Sequence, residues 1–600
     1  MTTCSTVHSD STPTRSAVCA RWVSISGNAN GPAFAYMSPN FMLVVLLRFH
    51  GHGKSHHEGG RMRVRARKVG VGLAAVLIAV GVAGCGGGGG GSGGSHAVQF
   101  TTAPAIGDAP NARAPLVRVL TFATDVPTRV EATVSDGGAH TFTVTSQSLT
   151  TTHADAIVGF TPGRDYDVTV AAIAADGGRV DASAPLHVTT AALPATFPRL
   201  DVHIAAAGVV EPGFTLFGAR SKDGKAAFVV IIDSGGEVVW YLDIATSSVA
   251  RLLANGHVVT ILANRTAIEE VDLLGNTIHT WYAAHASDPP PPGGIPVDVF
   301  TFHNEILDVD GGASFLTSSD IVQFVDDFPT NENDASVRGT MVPVLDEPVV
   351  EFAPDGTTLH TWNFLDILKP TRIGFDATQG LPVNADWAHT NAAIVDPRDG
   401  SIIASLRHQD AVVKVGRTDG ALRWILGNHD NWEGFESFLL TPVGEPFAWS
   451  YHQHAPQLTA RSTLLVFDNG NWRASPFTGQ PKLLAPENHS RAVEYAIDES
   501  AHTVRQVWEF VHPEQLYSPF VGSAYELPAT GNVLVTFGGL CTVDGVHSDD
   551  IAHCRGTARL VEVHHATPDA LVFDLEVSDP DPTAIGWLVY RAYRIATLTP

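Results

Sequence analysis

Short apolar strands alternate with turn residues along most of the chain, and four of the resulting hairpins share one design. Each begins with a polar side chain, runs through an apolar strand, turns at a cluster of Gly, Asp, Asn or Ser, and returns as a second apolar strand. The four hairpins begin at His303, His389, His454 and Ser523. Repetition of such a unit is typical of β-sheets arranged around an axis. We therefore expect these four side chains to converge on one centre.

A second repeat consists of a turn followed by a strand that ends in tryptophan. It recurs at Trp240, Trp281, Trp362, Trp424 and Trp508. Large aromatic side chains at one recurring position indicate core packing between neighbouring sheets. The two repeats together predict an all-β fold, with a six-bladed β-propeller over residues 199–600.

The region before the repeats shows a different strand pattern. Period-two alternation over Leu116–Phe122, Arg129–Val134 and Thr141–Thr145 predicts half-buried strands. The stretch Val158–Val170 resembles the turn and the strand-F tyrosine of fibronectin type III domains. Residues 97–198 are therefore predicted to form a small fibronectin type III-like β-sandwich. We interpret it as a spacer or an interaction module.

An export signal is predicted over residues 62–85. Basic residues after Met62 precede an uncharged apolar stretch, Val69–Ala83, which is followed by Gly84 and Cys85. That order of charge, apolar run and small residues is typical of a secretory signal, and the apolar run is short for a membrane span. The last residues resemble the lipobox of bacterial lipoproteins, in which the cysteine is lipidated.

The segments on either side of the signal lack a folded pattern. Residues 86–96 are rich in glycine and are expected to form a flexible tether. Residues 1–61 are interpreted as a disordered, over-extended start, with Met62 as the true initiator. The expected product is an exported lipoprotein, periplasmic or on the cell surface of a bacterium, with a lipid anchor in the membrane.

The net charge and the cysteines indicate which partners and which cross-links to expect. The formal net charge of −25 opposes binding to nucleic acid. Cys541 and Cys554 lie thirteen residues apart in a loop rich in Gly and Asp, and in an exported protein they are expected to form a disulfide. Metal binding by this pair is not expected, although His547 and His553 lie between the two cysteines.

Cross-strand pairing adds charged residues to the predicted centre. With a turn at residues 397–400, Thr390 should face Arg407, which places Arg407 beside His389. Similar arithmetic places Asp468 near His454, where it could orient the imidazole or form a turn with the residues that follow. Because no carboxylates recur at the offset of the histidines and an arginine would repel a cation, the centre favours an anion over a metal.

Several strings in the chain resemble those of the bacterial arylsulfate sulfotransferase (arylsulfotransferase, ASST) family, and the resemblance covers most of residues 200–600. The strings are Asp386-Trp-Ala-His-Thr-Asn, Ser405-Leu-Arg-His-Gln, Arg423-Trp-Ile-Leu-Gly, Gln453-His, Phe467-Asp-Asn-Gly-Asn-Trp-Arg and Tyr590-Arg-Ala-Tyr-Arg. The family's fold is a six-bladed propeller with a smaller N-terminal β-domain.

The resemblance implies transfer of a sulfuryl group from a phenolic sulfate ester to a phenolic acceptor, without the nucleotide donor PAPS and without a cofactor or a metal. It implies that His454 is the nucleophile that becomes sulfated in a ping-pong reaction. His303, His389 and Arg407 would assist it. The family leads us to expect an acidic residue after the nucleophile, whereas this chain has Ala455.

Other interpretations stay open at this point. His452 offers a competing nucleophile two residues before His454. The enzyme could instead be an aryl sulfate hydrolase, with water as the acceptor, or the propeller could bind a ligand without catalysis. A homodimer is also left open.

Overall fold

The structure is a computed structural model that describes residues 97–244, 249–262, 264–566 and 569–598. The predicted signal, Cys85, the tether and the over-extended start lie outside the described residues. Within these residues the fold is all-β, as the sequence predicts. No helix among them is long and apolar enough to cross a membrane.

The first seven strands form one curved sheet around its own core. They are β1 (Phe100–Gly107), β2 (Arg118–Ser135), β3 (Thr141–Thr145), β4 (Thr150–Ile157), β5 (Asp165–Ala174), β6 (Arg179–Asp181) and β7 (Leu186–Thr189). The long strand β2 pairs with β1 and β4 through its first half and with β3 and β5 through its second half. Tyr166 is buried, and its hydroxyl lies 2.6 Å from Oγ1 of Thr161 and accepts the Thr161 N–H at 3.1 Å.

The described residues after β7 contain 33 further strands, numbered in chain order. Those up to the third histidine hairpin are β8 (Arg199–Ala205), β9 (Phe214–Ser221), β10 (Ala227–Ile232), β11 (Val238–Asp243), β12 (Ala250–Leu252), β13 (Val258–Ile261), β14 (Ala267–Val271), β15 (Thr277–Ala283), β16 (Ile295–Val297), β17 (His303–Val309), β18 (Ser314–Ser318), β19 (Ile321–Val325), β20 (Phe328–Pro329), β21 (Arg338–Gly339), β22 (Val342–Asp346), β23 (Val349–Phe352), β24 (Thr358–Trp362), β25 (Ala385–Asp386), β26 (Thr390–Val395), β27 (Ile402–Leu406), β28 (Ala411–Val415), β29 (Leu422–Gly427) and β30 (Thr441–Pro442).

The remaining strands are β31 (His454–Leu458), β32 (Leu464–Asp468), β33 (Arg491–Asp498), β34 (Thr503–Val511), β35 (Ser523–Glu526), β36 (Val533–Val543), β37 (Val546–His547), β38 (Arg555–His564), β39 (Ala570–Ser578) and β40 (Trp587–Ile595). Helical structure in the described residues is limited to α1 (Phe364–Ile367) and the 3-10 turns Arg407–Gln409, Glu436–Phe438 and Ala485–Glu487.

Six antiparallel sheets follow one another in a propeller-like arrangement. From the innermost strand outward, their orders are β40-β9-β10-β11, β12-β13-β14-β15, β17-β18-β23-β24, β26-β27-β28-β29, β31-β32-β33-β34 and β35-β36-β38-β39. We call them sheets 1 to 6. Their innermost strands contact one another in the cyclic order β12, β17, β26, β31, β35, β40 and back to β12. The last strand of the chain thus completes sheet 1, and β8 forms the outer edge of sheet 6.

The repeated tryptophans join neighbouring sheets, as the sequence predicts. All five are buried. Each of four indole N–H groups donates to the next sheet around the ring: Trp240 to the Leu273 carbonyl, Trp281 to that of Pro354, Trp362 to that of Gly416, and Trp508 to the Asp569 carboxylate. A side chain that fills the gap between sheets and also bonds the next sheet fixes their spacing.

At Gly538 the innermost strand of sheet 1, β40, packs closely against sheet 6. A Cβ atom at this position of β36 would lie 1.8 Å from the carbonyl oxygen of Val589 in the closing strand β40. We expect Gly538→Ala to lower the free energy of unfolding by about 1–3 kcal/mol, because strained overpacking must separate the two strands. Chemical denaturation measures the change. Gly107→Ala is the matched control, since its Cβ would lie 3.8 Å from the nearest atom; equal stability of the two variants would contradict a tight closure.

Candidate active site

The hairpins that carry the histidines do not pair regularly at their open ends. The pairing shifts between His303 and Ile306 and again between His454 and Gln457. Asn304 and Ala455 have positive φ angles of 54° and 50°. Such bulges bend a strand and redirect its side chains, and they are frequent beside active sites. They allow the histidines to leave the regular alternation of their strands.

A bulge also makes the register of the His389 hairpin differ from the predicted one. Thr390 pairs with Leu406 and not with Arg407, because a bulge between Thr390 and Ala392 shifts the register. Arg407 instead donates its backbone N–H to the carbonyl oxygen of His389 at 3.2 Å. The two residues are therefore adjacent, through a different register from the predicted one.

His454 is buried and held in one orientation by Asn469. The Asn469 amide donates to the carbonyl oxygens of Ser518 and Val521, at 2.7 and 2.9 Å, so its Oδ1 accepts from Nδ1 of His454 at 2.7 Å. This bond fixes the proton of a neutral ring on Nδ1 and leaves Nε2 with its lone pair. Burial, followed by the positive charge of Arg407, holds the pKa of His454 well below its usual value.

Asp468 does not orient His454, and this corrects the first of the two interpretations given above. Phe467 is the cross-strand partner of His454. The carboxylate of Asp468 accepts the N–H of Tyr451 at 2.8 Å and pairs with Arg473 and Arg491 at 2.9 and 2.8 Å. Because side chains alternate along a strand, Asp468 supports the loops behind the site, while Asn469 meets the imidazole.

Arg407 and His389 belong to one polar network with Asp386 and His408. His389 Nδ1 lies 2.7 Å from the Asp386 carboxylate, and His408 Nδ1 donates to the Asp386 carbonyl oxygen at 2.6 Å. Nε2 of His408 then accepts from Arg407, whose other Nη donates to the carbonyl oxygen of Pro519 at 3.1 Å. The guanidinium is thus held by a neutral ring and a carbonyl, with no carboxylate bound to it in the described residues, and its charge is available to an anion.

His303 lies at the other side of this network. Its ring centroid is 5.8 Å from that of His389, and its Nδ1 lies 2.7 Å from Glu347 and 3.1 Å from Asp320. Burial disfavours the imidazolium, but the two carboxylates outweigh burial and raise the pKa of His303 to about 9. His303 is therefore a cation at neutral pH and can donate a proton.

His452 is held between two carboxylates. Its Nδ1 lies 2.8 Å from Asp410, and its Nε2 lies 3.5 Å from Asp376. Burial and Arg407 lower the pKa of His452, but the two aspartates more than compensate and raise it above the usual value. Each ring nitrogen of His452 therefore faces an aspartate, which disfavours this residue as the competing nucleophile.

The remaining predicted residues are Ser523 and the pair of cysteines with the histidines between them. Ser523 begins β35 and is fully buried. The Sγ atoms of Cys541 and Cys554 form a disulfide, and His553 beside it pairs with Asp550.

The Arylsulfotransferase (ASST) family matches residues 202–587, well over half of the chain. The chain belongs to this family. It is a sulfotransferase enzyme. It is 29% identical over 441 residues to the arylsulfate sulfotransferase AssT of Escherichia coli O6:H1 (strain CFT073), which covers 65% of this chain and 69% of that protein. It is 29% identical over 316 residues to AssT of Lelliottia amnigena, covering 50% of this chain and 48% of that protein.

A solved structure that the chain resembles is the apocarotenoid oxygenase of Synechocystis. The likeness has a TM-score of 0.29 and 12% identity, and it covers 67% of this chain and 97% of that one. At that TM-score it carries no argument about this sulfotransferase.

Carboxylates do surround the histidines, contrary to the expectation from hairpin offsets. Three groups have donor atoms close enough for a metal ion: Asp376 with His408 and His452, Asp386 with His389 and His408, and His303 with Asp320 and Glu347. These carboxylates come from segments outside the repeated hairpins, so their offsets could not reveal them. Each carboxylate already faces a histidine, and Arg407 lies beside two of the groups, so the absence of a metal stays our prediction.

Sequence reasoning missed most of the residues that hold the histidines in place. Asp386, His408 and Asn469 lie inside the strings that resemble the family. Their closeness in sequence to the predicted site residues could have identified them. Asp320 and Glu347 lie in irregular segments that carry no recurring pattern, and only the fold brings them to His303.

Asp468→Asn separates the supporting role of this carboxylate from an orienting one. We expect the variant to lose about 3 kcal/mol of stability, since removal of the shared charge leaves Arg473 and Arg491 without their buried partner. Thermal unfolding measures the loss. Asp419→Asn, in an exposed pair with Arg423, is the control and should leave the midpoint unchanged. A variant with unchanged stability and lost activity would restore Asp468 as the orienting group.

Proposed function

We propose that this enzyme moves a sulfuryl group from a phenolic sulfate ester to a phenolic acceptor, independently of PAPS, through a sulfohistidine at His454. The observation that carries the proposal is the buried, neutral imidazole whose Nδ1 proton is bound by Asn469. A neutral imidazole is a competent nucleophile, and fixing one tautomer presents Nε2 for attack. The names of the two AssT relatives support an aryl sulfate as the donor.

In the first half-reaction, Nε2 of His454 attacks the sulfur of the ester. The N–S bond forms as the S–O bond to the aryl oxygen breaks, and the bonding pair leaves with the phenolate. His303, protonated at neutral pH, gives that oxygen its proton. In the second half-reaction, the phenol returns a proton to His303 as its oxygen attacks sulfur and releases His454.

Arg407 and His389 would bind the sulfuryl oxygens during both steps. The transition state of such a transfer resembles that of phosphoryl transfer, with negative charge on the peripheral oxygens. Donors fixed in advance stabilise this charge without reorganisation, and loss of one typically costs about 10²–10³ in rate. Arg407 is fixed by His408 and Pro519, and His389 is fixed by Asp386.

The proposal extends to architecture and location. The closed ring of six innermost strands supports a six-bladed β-propeller over residues 199–600. The buried Tyr166 hydroxyl, bonded to a residue five positions upstream, supports a fibronectin type III-like sandwich over residues 97–198. The Cys541–Cys554 disulfide supports export, since disulfides persist outside the reducing cytosol. We keep the lipid anchor at Cys85 as part of the proposal.

His454→Asn should abolish both donor cleavage and the covalent intermediate, because the amide lacks a nucleophilic nitrogen. After incubation with 4-nitrophenyl sulfate and no acceptor, intact-protein mass spectrometry should show an added ~80 Da on the wild type, located on the peptide that contains His454. His452→Asn is the matched control and should still acquire this mass. Modification of the His454→Asn protein would refute the assignment, and steady release of inorganic sulfate without a phenol would identify a hydrolase.

The pH dependence of donor cleavage tests His303. Its protonated form is the proton donor, so the rate should be fully present well below pH 9 and fall as the pH rises through about 9. His303→Gln should remove this limb and slow cleavage of phenyl sulfate by about 10²-fold or more. Cleavage of 4-nitrophenyl sulfate should suffer much less, because its phenolate leaves without a proton. Equal losses for the two esters would show that His303 does not protonate the leaving group.

A further inference from the structure

A cavity lies beside the histidine centre, since Ala455, the residue after His454, lines it. The innermost strands line this cavity, which has a volume of about 580 Å³. Its walls come from residues that follow the first positions of the same strands, such as Leu307 of β17, Ile394 of β26 and Leu458 of β31. Cavities of this size, with apolar walls and a few fixed polar groups, typically bind small molecules.

Arg591, Arg251 and Glu305 form one charged cluster in the wall of this cavity, where Arg591 is buried and Arg251 is half-buried. Arg591 pairs with Glu305 at 2.7 Å, and Arg251 lies 3.7 Å from the same carboxylate. The Nε–H groups of both arginines are buried without a hydrogen-bond partner among the described residues. Arg591 is only 3% exposed. Within this cluster, two guanidinium charges against one carboxylate leave one excess positive charge.

A stacked pair of tyrosines supplies an aromatic surface beside the arginines. The rings of Tyr525 and Tyr593 are 5.1 Å apart and nearly parallel, and the Tyr593 hydroxyl accepts from Arg251 at 3.2 Å. The guanidinium of Arg251 also lies 4.8 Å from the Tyr593 ring centroid. The cavity therefore combines a positive charge with an aromatic wall, which suits an aromatic anion.

Acidic side chains toward the outer part of the cavity limit the charge that it can accept. The Asp308 carboxylate accepts hydrogen bonds from backbone N–H groups of neighbouring turns, and Glu526 pairs with Arg461. Asp310 is exposed. These carboxylates repel a multiply charged anion but leave the single excess charge at Arg251 and Arg591 available. A monoanion with an apolar body is the ligand that fits both features.

We propose that this cavity is an accessory binding site for an aromatic monoanion, of the aryl sulfate or aryl sulfonate class. It is separate from the histidine centre. Asn391 stands between them, because its carbonyl oxygen accepts from Tyr590 and Arg591, and its side chain donates to the carbonyl of Gln453, which precedes His454. The site goes beyond the proposed sulfuryl transfer and does not require it.

Benzenesulfonate is the probe, since its sulfur is bonded to carbon and cannot be transferred to His454. Calorimetric titration of the full chain should show two molecules bound, one at each site. Arg251→Met should remove or weaken one of them by at least tenfold, the usual cost of losing a hydrogen bond to a charged group in a buried site. Tyr593→Phe, which keeps the ring, should weaken the same molecule. Arg113→Met, in an ion pair with Glu269, is the control and should bind as the wild type does.

Arg407→Met distinguishes the two sites, because it should remove only the molecule at the histidine centre. If Arg407→Met still bound both molecules, that result would count against the proposed function and not against the accessory site. A wild type that binds one molecule, lost in Arg407→Met, would overturn the accessory site. Unchanged binding in folded Arg251→Met and Tyr593→Phe proteins would do the same. If inorganic sulfate bound this cavity as tightly as benzenesulfonate, the aromatic class would be wrong.

Discussion

Closure of the ring by the last strand is the constraint on which the rest of the structure depends. β40 pairs with β9, which lies more than 350 residues earlier in the chain, and completes sheet 1. It also brings Arg591 to Glu305 and Tyr590 to Asn391, so residues near the chain end contact the innermost strands of two other sheets. The convergence of the histidines therefore requires that all six sheets be present and closed.

The closed ring places like residues in unlike surroundings, and this separates their roles. His303 faces two carboxylates and is a cation, whereas His454 faces an amide and an arginine and is neutral. His452, two residues from His454, faces two aspartates, which raise its pKa above the usual value. Proximity of charge and burial, and not residue type, decides which ring can attack and which can donate a proton.

Water exclusion links the packing to the proposed chemistry. His454 and Arg407 are buried, and the loop carbonyls of Ser518, Val521 and Pro519 accept hydrogen bonds from Asn469 and Arg407. In such surroundings a fixed guanidinium stabilises developing negative charge far more than it would in water. In the neighbouring cavity, the Nε–H groups of Arg251 and Arg591 are buried without a hydrogen-bond partner among the described residues, and because such burial is costly, we expect an anionic ligand there.

The sequence alone determined the all-β class, the packing of the tryptophans between sheets and the convergence of the hairpins that begin at His303, His389 and His454, because periodicity and turn residues are local features of each strand. It could not determine the register at Thr390 or the roles of Asp468 and Asn469. A single bulge moves every later side chain by one position, and no pattern of hydrophobicity marks it. Nor could it show that Asp320, Glu347 and Asp376 face histidines, because these carboxylates reach the centre from irregular segments. Only the tertiary structure sets those distances, and with them the charge of each histidine.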